Sequence, residues 1–147
     1  MKIAIGCDHR GYPLKKALVQ EIEDLGHEIK DFGSFDETQV DYPDYALAVS
    51  RAVARGDCYC GILICGTGIG MSVAANKIKG IRAARCQDCF SAKMARQHND
   101  ANVLCLGAMV IGPGLAREVV RAYLEAKFEG GRHAKRIEKI SAIECSG

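Results

Sequence analysis

Three glycines alternate with other residues directly after an apolar run, in Gly66-Thr67-Gly68-Ile69-Gly70. Small residues leave the backbone N–H groups of such a loop accessible, and these groups form a concave site for a phosphate or a developing oxyanion. The loop is not a Walker motif, because no Gly-Lys-Ser/Thr follows, and Met71 stands at the third glycine position of a dinucleotide fingerprint. A tight strand-to-helix turn that binds nothing is the alternative interpretation.

Two residues of this chain have side chains suited to proton transfer. Cys65 immediately precedes the glycine loop, and a thiol at the start of a helix ionises readily, so it is expected to act as a nucleophile or a general base. The alternative is one more small buried cysteine. His98 is predicted to end a helix, where the helix dipole favours the protonated imidazole and hence a proton donor. A simple helix cap is the alternative.

A basic segment near the carboxyl terminus offers groups for an anion. Arg132 and Arg136 lie four residues apart, on one face of a predicted helix that follows Gly130-Gly131. Two guanidinium groups in this arrangement match the oxygens of a phosphate group. The alternative is a basic face that only contacts solvent.

The other cysteines are more typical of a buried core than of disulfides or a metal site. The chain has eight cysteines, most of them inside apolar runs, which indicates a reducing compartment. Metal binding or redox exchange remains an alternative for the paired cysteines, which are Cys58, Cys60, Cys86 and Cys89.

The composition of the 147 residues is that of a globular protein, with 48% hydrophobic and 26% charged residues. The formal net charge of only +2 predicts neither nucleic-acid nor membrane binding. The chain has no apolar run of transmembrane length and no signal peptide, so a cytoplasmic location is expected.

Strand-like runs alternate with amphipathic helical segments along the chain. The strands are predicted at residues 2–7, 28–32, 61–65, 81–86 and 103–111. The helices are predicted at residues 12–25, 43–54, about 70–76, 88–98, 115–128 and 132–143. This alternation predicts one α/β domain over residues 1–147, with a five-stranded parallel sheet covered by helices on both faces.

Ligands of such sheets bind beyond the carboxyl ends of the strands. Polar and glycine residues gather at these predicted ends: Asp8 and His9 after the first strand, the 65–70 loop after the third, Asp88 after the fourth, and the turn after the fifth.

Motifs along nearly the whole chain resemble ribose-5-phosphate isomerase type B. The motifs are Gly6-Cys7-Asp8-His9-Arg10-Gly11, Asp41-Tyr42-Pro43-Asp44-Tyr45-Ala46, Cys65-Gly66-Thr67-Gly68-Ile69-Gly70-Met71-Ser72, Ala74-Ala75-Asn76-Lys77, Gly80-Ile81-Arg82-Ala83, Arg96-Gln97-His98-Asn99-Asp100 and Phe128-Glu129-Gly130-Gly131-Arg132-His133. The resemblance implies a three-layer, Rossmann-like α/β/α fold, whose last helix reaches a partner subunit of a homodimer or a tetramer.

The resemblance also implies roles for individual residues. Cys65 would be the base that moves a proton between C1 and C2, His98 would open the sugar ring, and Thr67 would support the reacting oxygens. The implied substrate-binding residues are Asp8, His9, Gly66, Gly68, Ile69, Gly70 and Asn99, with Arg132 and Arg136 holding the phosphate from the other subunit. No metal or cofactor is implied.

One position departs from the family pattern. The family commonly carries an arginine that contributes to substrate binding in the turn after the fifth strand, where this chain has Met109. The expected reaction interconverts ribose 5-phosphate and ribulose 5-phosphate through a cis-enediolate. A six-carbon substrate (allose 6-phosphate or galactose 6-phosphate) and a non-catalytic phosphate-binding module remain alternatives.

Overall fold

The computed structural model describes residues 1–146, and its central feature is a parallel sheet. The strands are β1 (Lys2–Cys7), β2 (Glu28–Asp31), β3 (Cys60–Cys65), β4 (Ala83–Arg85) and β5 (Val103–Gly107). They form a five-stranded sheet in the order β2-β1-β3-β5-β4, and every neighbouring pair is parallel. The predicted parallel sheet is confirmed.

Helices cover both faces of the sheet. The helices are α1 (Tyr12–Asp24), α2 (Tyr42–Ala54), α3 (Ile69–Ala75), α4 (Cys89–Asn99), α5 (Pro113–Glu125) and α6 (Arg132–Ser146). Buried side chains of α1, α4 and α5 form one apolar cluster with the sheet, and those of α2 and α3 form the other. The predicted three-layer, Rossmann-like arrangement is therefore confirmed.

The alternation of side chains along β3 determines where its last residue points. Ile62 and Ile64 pack into the cluster of α1, α4 and α5, whereas Leu63 and Cys65 pack into the cluster of α2 and α3. Successive residues of a strand face opposite sides of the sheet, so this pattern follows from the period of two. Cys65 thus ends β3 on the side covered by α2 and α3.

Strand β5 is shorter than predicted, because the chain turns at Gly107. The N–H groups of Ala108 and Met109 donate to the carbonyls of Cys65 and Gly66, at 2.8 and 3.0 Å, and the N–H of Val110 donates to Gly107. This turn holds residues 108–110 against the glycine loop. It takes Met109 to the same edge of the sheet as Cys65.

Helix α6 extends away from the sheet. Among its described side chains only His133 is buried, while Ile140 and Ile143 are exposed. The chain reaches α6 through Gly130 and Gly131, whose φ angles of +67° and +56° favour glycine. Within residues 1–146 no helix combines the length and apolar character needed to cross a bilayer.

Candidate active site

A cleft of about 900 Å³ opens at the carboxyl ends of β1 and β3. Three segments form its walls: the turn after β1, the loop that leads into α2, and the glycine loop after β3. The residues that line the cleft include Asp8, His9, Arg10, Asp41, Tyr42, Asp44, Cys65, Gly66, Thr67, Ile69 and Gly70. The structure therefore brings together the predicted site residues of the two strand ends.

Asp8 is buried and organises the turn after β1. Its Oδ1 accepts hydrogen bonds from the backbone N–H groups of Arg10 and Gly11, both at 3.0 Å. His9 follows it, and its Nδ1 accepts the N–H of Val40 at 3.2 Å. Since Nδ1 accepts, the neutral ring carries its proton on Nε2, which can donate a hydrogen bond to a ligand.

The glycine loop directs two N–H groups at side chains of the loop itself. Gly68, at φ +78°, donates to Cys65 Sγ at 3.1 Å, and Ile69 donates to Thr67 Oγ1 at 3.2 Å. The Cys65 sulfur therefore has a backbone donor on one side and the cleft on the other. Thr67 is exposed beside it, so its hydroxyl can donate to a ligand oxygen.

The remaining buried thiols lie in a different environment. Burial raises the pKa of Cys60 to about 12 and that of Cys86 to about 11. It also raises the pKa of Cys7 and of Cys105. These side chains therefore stay protonated near neutral pH and contribute to packing.

The paired cysteines gather no metal-ligand set in the part of the chain that the structure describes. There, the single group of three or more potential ligands is His98, Glu129 and His133. The two imidazole rings are stacked, with centroids 4.2 Å apart and planes within 10°. Lone pairs of parallel rings do not converge, so this arrangement does not fit an ion bound by both rings at about 2.0–2.1 Å.

Tyr42, at the start of α2, is a cleft residue to which the sequence assigned no role. A Cβ atom at position 70 would lie 2.6 Å from Cζ of its ring, so Gly70 makes room for the tyrosine. The signal was the Asp41-Tyr42-Pro43 segment, which matched the family motif without indicating a function.

Arg10 and Met109 meet at the mouth of the cleft. Arg10 Nη1 lies 3.3 Å from Met109 Sδ, and a Cβ at Gly66 would be 3.3 Å from both Arg10 Cδ and Met109 Sδ. Met109 is the departure from the family pattern noted above, whereas no role was predicted for Arg10. Nothing in the spacing of Arg10 distinguishes it from a surface arginine.

His98 belongs to a second cluster, at the end of α4. Its Nε2 lies 3.8 Å from Glu129 Oε2, and Nε2 of the stacked His133 lies 3.5 Å from the same oxygen. Burial lowers the pKa of His133, and the nearby positive charges of His98 and Arg132 lower it further. Glu129 acts in the opposite direction.

This second cluster lies at the amino ends of the strands, whereas Cys65 lies at the carboxyl end of β3. The carbonyl of Asn102, just after α4, accepts the N–H of Gly61 at the start of β3. Cys65 ends the same strand, about 13 Å further along at roughly 3.3 Å per residue. Four predicted site residues therefore lie away from the cleft of their own chain: His98, Asn99, Arg132 and Arg136. A fifth, Gly68, is buried within the glycine loop and does not itself line the cleft.

Known proteins agree closely with this fold and sequence. The family model described as Ribose/Galactose Isomerase matches residues 3–140. The chain is 52% identical over 143 residues to ribose-5-phosphate isomerase B of Escherichia coli, covering 97% of this chain and 96% of that protein. It is 46% identical over 146 residues to D-erythrulose-4-phosphate isomerase of Pectobacterium atrosepticum, covering 98% and 95%.

A solved structure of ribose-5-phosphate isomerase B from Clostridium thermocellum superposes with a TM-score of 0.97 at 52% identity, covering 99% of this chain and 98% of that chain. Sequence and structure thus agree over almost the whole length. The chain belongs to the ribose/galactose isomerase family.

Proposed function

We propose that this protein is an aldose–ketose isomerase that interconverts D-ribose 5-phosphate and D-ribulose 5-phosphate. The observation that carries the proposal is the Cys65 thiol at the cleft, accepting the N–H of Gly68 at 3.1 Å, in a chain of this family. The reaction needs a base that removes a proton alpha to a carbonyl and returns it to the neighbouring carbon. A thiolate held at the end of β3 can do both.

The proposed mechanism assigns one step to each group. His98 donates the proton that opens the furanose ring, and Cys65 removes the C2 proton to give a cis-enediolate. The Thr67 hydroxyl stabilises the negative oxygen, together with glycine-loop N–H groups other than those of Gly68 and Ile69, which donate to Cys65 and Thr67. The proton of the 2-hydroxyl passes to O1 as the C2 carbonyl forms, and Cys65 returns its own proton to C1. Neither a metal nor a cofactor takes part, and His9 and Asp8 bind the sugar.

A second copy of the chain completes this site. His98 and Cys65 lie at opposite edges of one sheet, so they reach the same substrate only if two chains contribute. Arg132 and Arg136 are exposed and have no carboxylate within 4 Å among the described residues. They would hold the substrate phosphate from the partner, and Asn99 would bind the substrate beside them. The exposed isoleucines of α6 would be covered in the same dimer.

The proposal includes a cytoplasmic location and one isomerase domain over residues 1–147. Four-carbon substrates are the second candidate class, because a relative at 46% identity is named for D-erythrulose 4-phosphate. Six-carbon aldose phosphates are the third.

A panel of four-, five- and six-carbon aldose phosphates tests the substrate, with ketose formation as the readout and parallel assays in a chelator. Ribose 5-phosphate should give the highest kcat/KM, and chelation should have no effect.

Cys65→Ala should abolish turnover, whereas the matched control Cys89→Ala, a half-buried cysteine outside the cleft, should not. If Cys65→Ala retained more than about a tenth of the wild-type kcat, its activation free energy would have risen by less than ~1.4 kcal/mol. The base would then be another group.

A further inference from the structure

Arg10 contributes the one Lys or Arg side chain among the described residues that line the cleft. Three carboxylates line the same cleft, those of Asp8, Asp41 and Asp44. A sugar phosphate carries up to two negative charges, so this cleft would repel it without a compensating cation. Arg10 is therefore the group of this chain that can offset the repulsion at the binding surface.

The guanidinium of Arg10 is without an ionic partner among residues 1–146. No carboxylate lies within 4 Å of it in the part of the chain that the structure describes. Its polar neighbour is the thioether of Met109, 3.3 Å from Nη1, and sulfur of this type is a weak acceptor. The side chain thus keeps nearly all its five N–H donors for a ligand.

A backbone hydrogen bond sets the point from which the Arg10 side chain starts. The N–H of Arg10 donates to the buried carboxylate of Asp8 at 3.0 Å. Beyond it, the Arg10 side chain passes over Gly66, where a Cβ atom would lie 3.3 Å from Arg10 Cδ. The charged end consequently lies beside the glycine loop that contains Thr67, where it can reach an anion bound to that loop.

We propose that Arg10 binds the phosphate group of the substrate and makes the cleft selective for phosphorylated sugars. The inference rests on the proposed isomerase function for the identity of the substrate. Arg10 would bind the phosphate from the same chain that supplies Cys65. Arg132 and Arg136 are expected to bind it from the partner. Arg10 and Met109 occupy adjoining places, so an arginine at position 109 would reach the same anion.

Arg10→Ala and Arg10→Lys test the proposal through the KM for ribose 5-phosphate and the inhibition constant of inorganic phosphate. Losing a charge-assisted contact should raise both about tenfold in Arg10→Ala. The kcat should change less than about threefold, because the contact is equal in ground and transition states. Arg10→Lys should recover part of the loss, since it keeps the charge but not the planar fork.

Arg55→Ala is the matched control, because Arg55 is exposed at the far end of α2 and does not line the cleft. It should leave both constants unchanged. Adding Met109→Arg to Arg10→Ala should bring both constants back towards wild type. In the wild-type background the same change should gain little, since two guanidinium groups would then compete for one place.

Unchanged constants in Arg10→Ala, with an active wild-type enzyme, would overturn the inference. So would a loss that Met109→Arg cannot repair, because the contact would then lie elsewhere. Titration calorimetry with inorganic phosphate separates this inference from the proposed function. If the wild-type protein turns over no ribose 5-phosphate, the function fails, whereas weaker phosphate binding by Arg10→Ala than by Arg55→Ala still supports the phosphate contact.

Discussion

The cysteines of this chain differ in their hydrogen bonds and in their access to the cleft. Cys105 on β5 is fully buried, and burial raises the pKa of its thiol, as it does for Cys60. Cys65 is nearly as buried by area, yet its sulfur accepts the Gly68 N–H and borders the cleft. A hydrogen-bond donor and access to a ligand, not exposure alone, set the candidate base apart from the structural thiols.

Ring opening and proton transfer can be separated experimentally at His98. Ribulose 5-phosphate stays open-chain, because its C5 oxygen carries the phosphate and cannot close a furanose ring on C2. His98→Asn should therefore lower kcat for ribose 5-phosphate by about 10²-fold or more, the usual contribution of a general acid. Deuterium uptake from D₂O at C1 of ribulose 5-phosphate, which in the proposed mechanism needs only Cys65, should fall less than about tenfold by the same scale.

Nuclear magnetic resonance measures the deuterium uptake, and a ketose assay measures the turnover. His27→Asn is the control, since His27 lies just before β2, outside the cleft. Equal losses of both rates in His98→Asn would contradict the ring-opening role and indicate a structural one.

At the scale of elements, the junction between α4 and α6 holds the His98 cluster in place. The N–H of Glu129 donates to the carbonyl of Gln97 at 3.0 Å, which docks the segment before α6 onto the end of α4. His133, one residue into α6, then stacks on His98. The imidazole proposed to open the ring is thus held between two helices rather than at a free helix end.

The pH dependence of stability reports on this junction. Because burial and the positive charges of His98 and Arg132 lower the pKa of His133, the unfolded chain binds this proton more readily than the folded chain. Stability is then fully present above the unfolded pKa of about 6.5 and falls as the pH drops below it. His133→Gln removes the titrating group, so it should flatten this fall while lowering stability at every pH.

Urea-unfolding midpoints near pH 5.5 and 7.5 measure the effect, within a range where most carboxylates stay ionised. Glu125→Gln is the control, because it changes a charge at the end of α5 outside the cluster. A His133→Gln protein with the wild-type difference between the two midpoints would show that His133 does not titrate as described.

For the whole molecule, the residue pattern predicted the sheet and the cleft, and the family resemblance implied that a partner subunit supplies Arg132 and Arg136, but neither predicted that His98 lies far from Cys65 within one chain. The period of apolar residues was sufficient for strands and helices, and the strand-end rule placed Asp8 and Cys65 at one edge. His98 ends a helix that runs back along the sheet, so the same topology puts it at the other edge. Arg10 was missed because its role depends on contacts with Gly66 and Met109, which only the fold creates.

The proposed sharing of the site between two subunits can be tested by complementation. Cys65→Ala and Arg136→Ala protomers should each form inactive or weakly active homodimers. In a heterodimer, one site combines the intact Cys65 of one chain with the intact Arg136 of the other, and the second site lacks both. Heterodimers should therefore recover about half the wild-type activity, since one of two symmetric sites is whole.

The two variants must be co-expressed with different affinity tags and purified through both, because a stable dimer exchanges subunits slowly. A heterodimer of wild-type and Cys65→Ala chains is the control and should have the same half activity. Sites built within single chains predict a different result, because each site of the mixed dimer would then lack one group. Activity no higher than the mean of the two parent homodimers, in heterodimers verified by mass spectrometry, would contradict the shared site and require His98 and Cys65 to act on separate molecules.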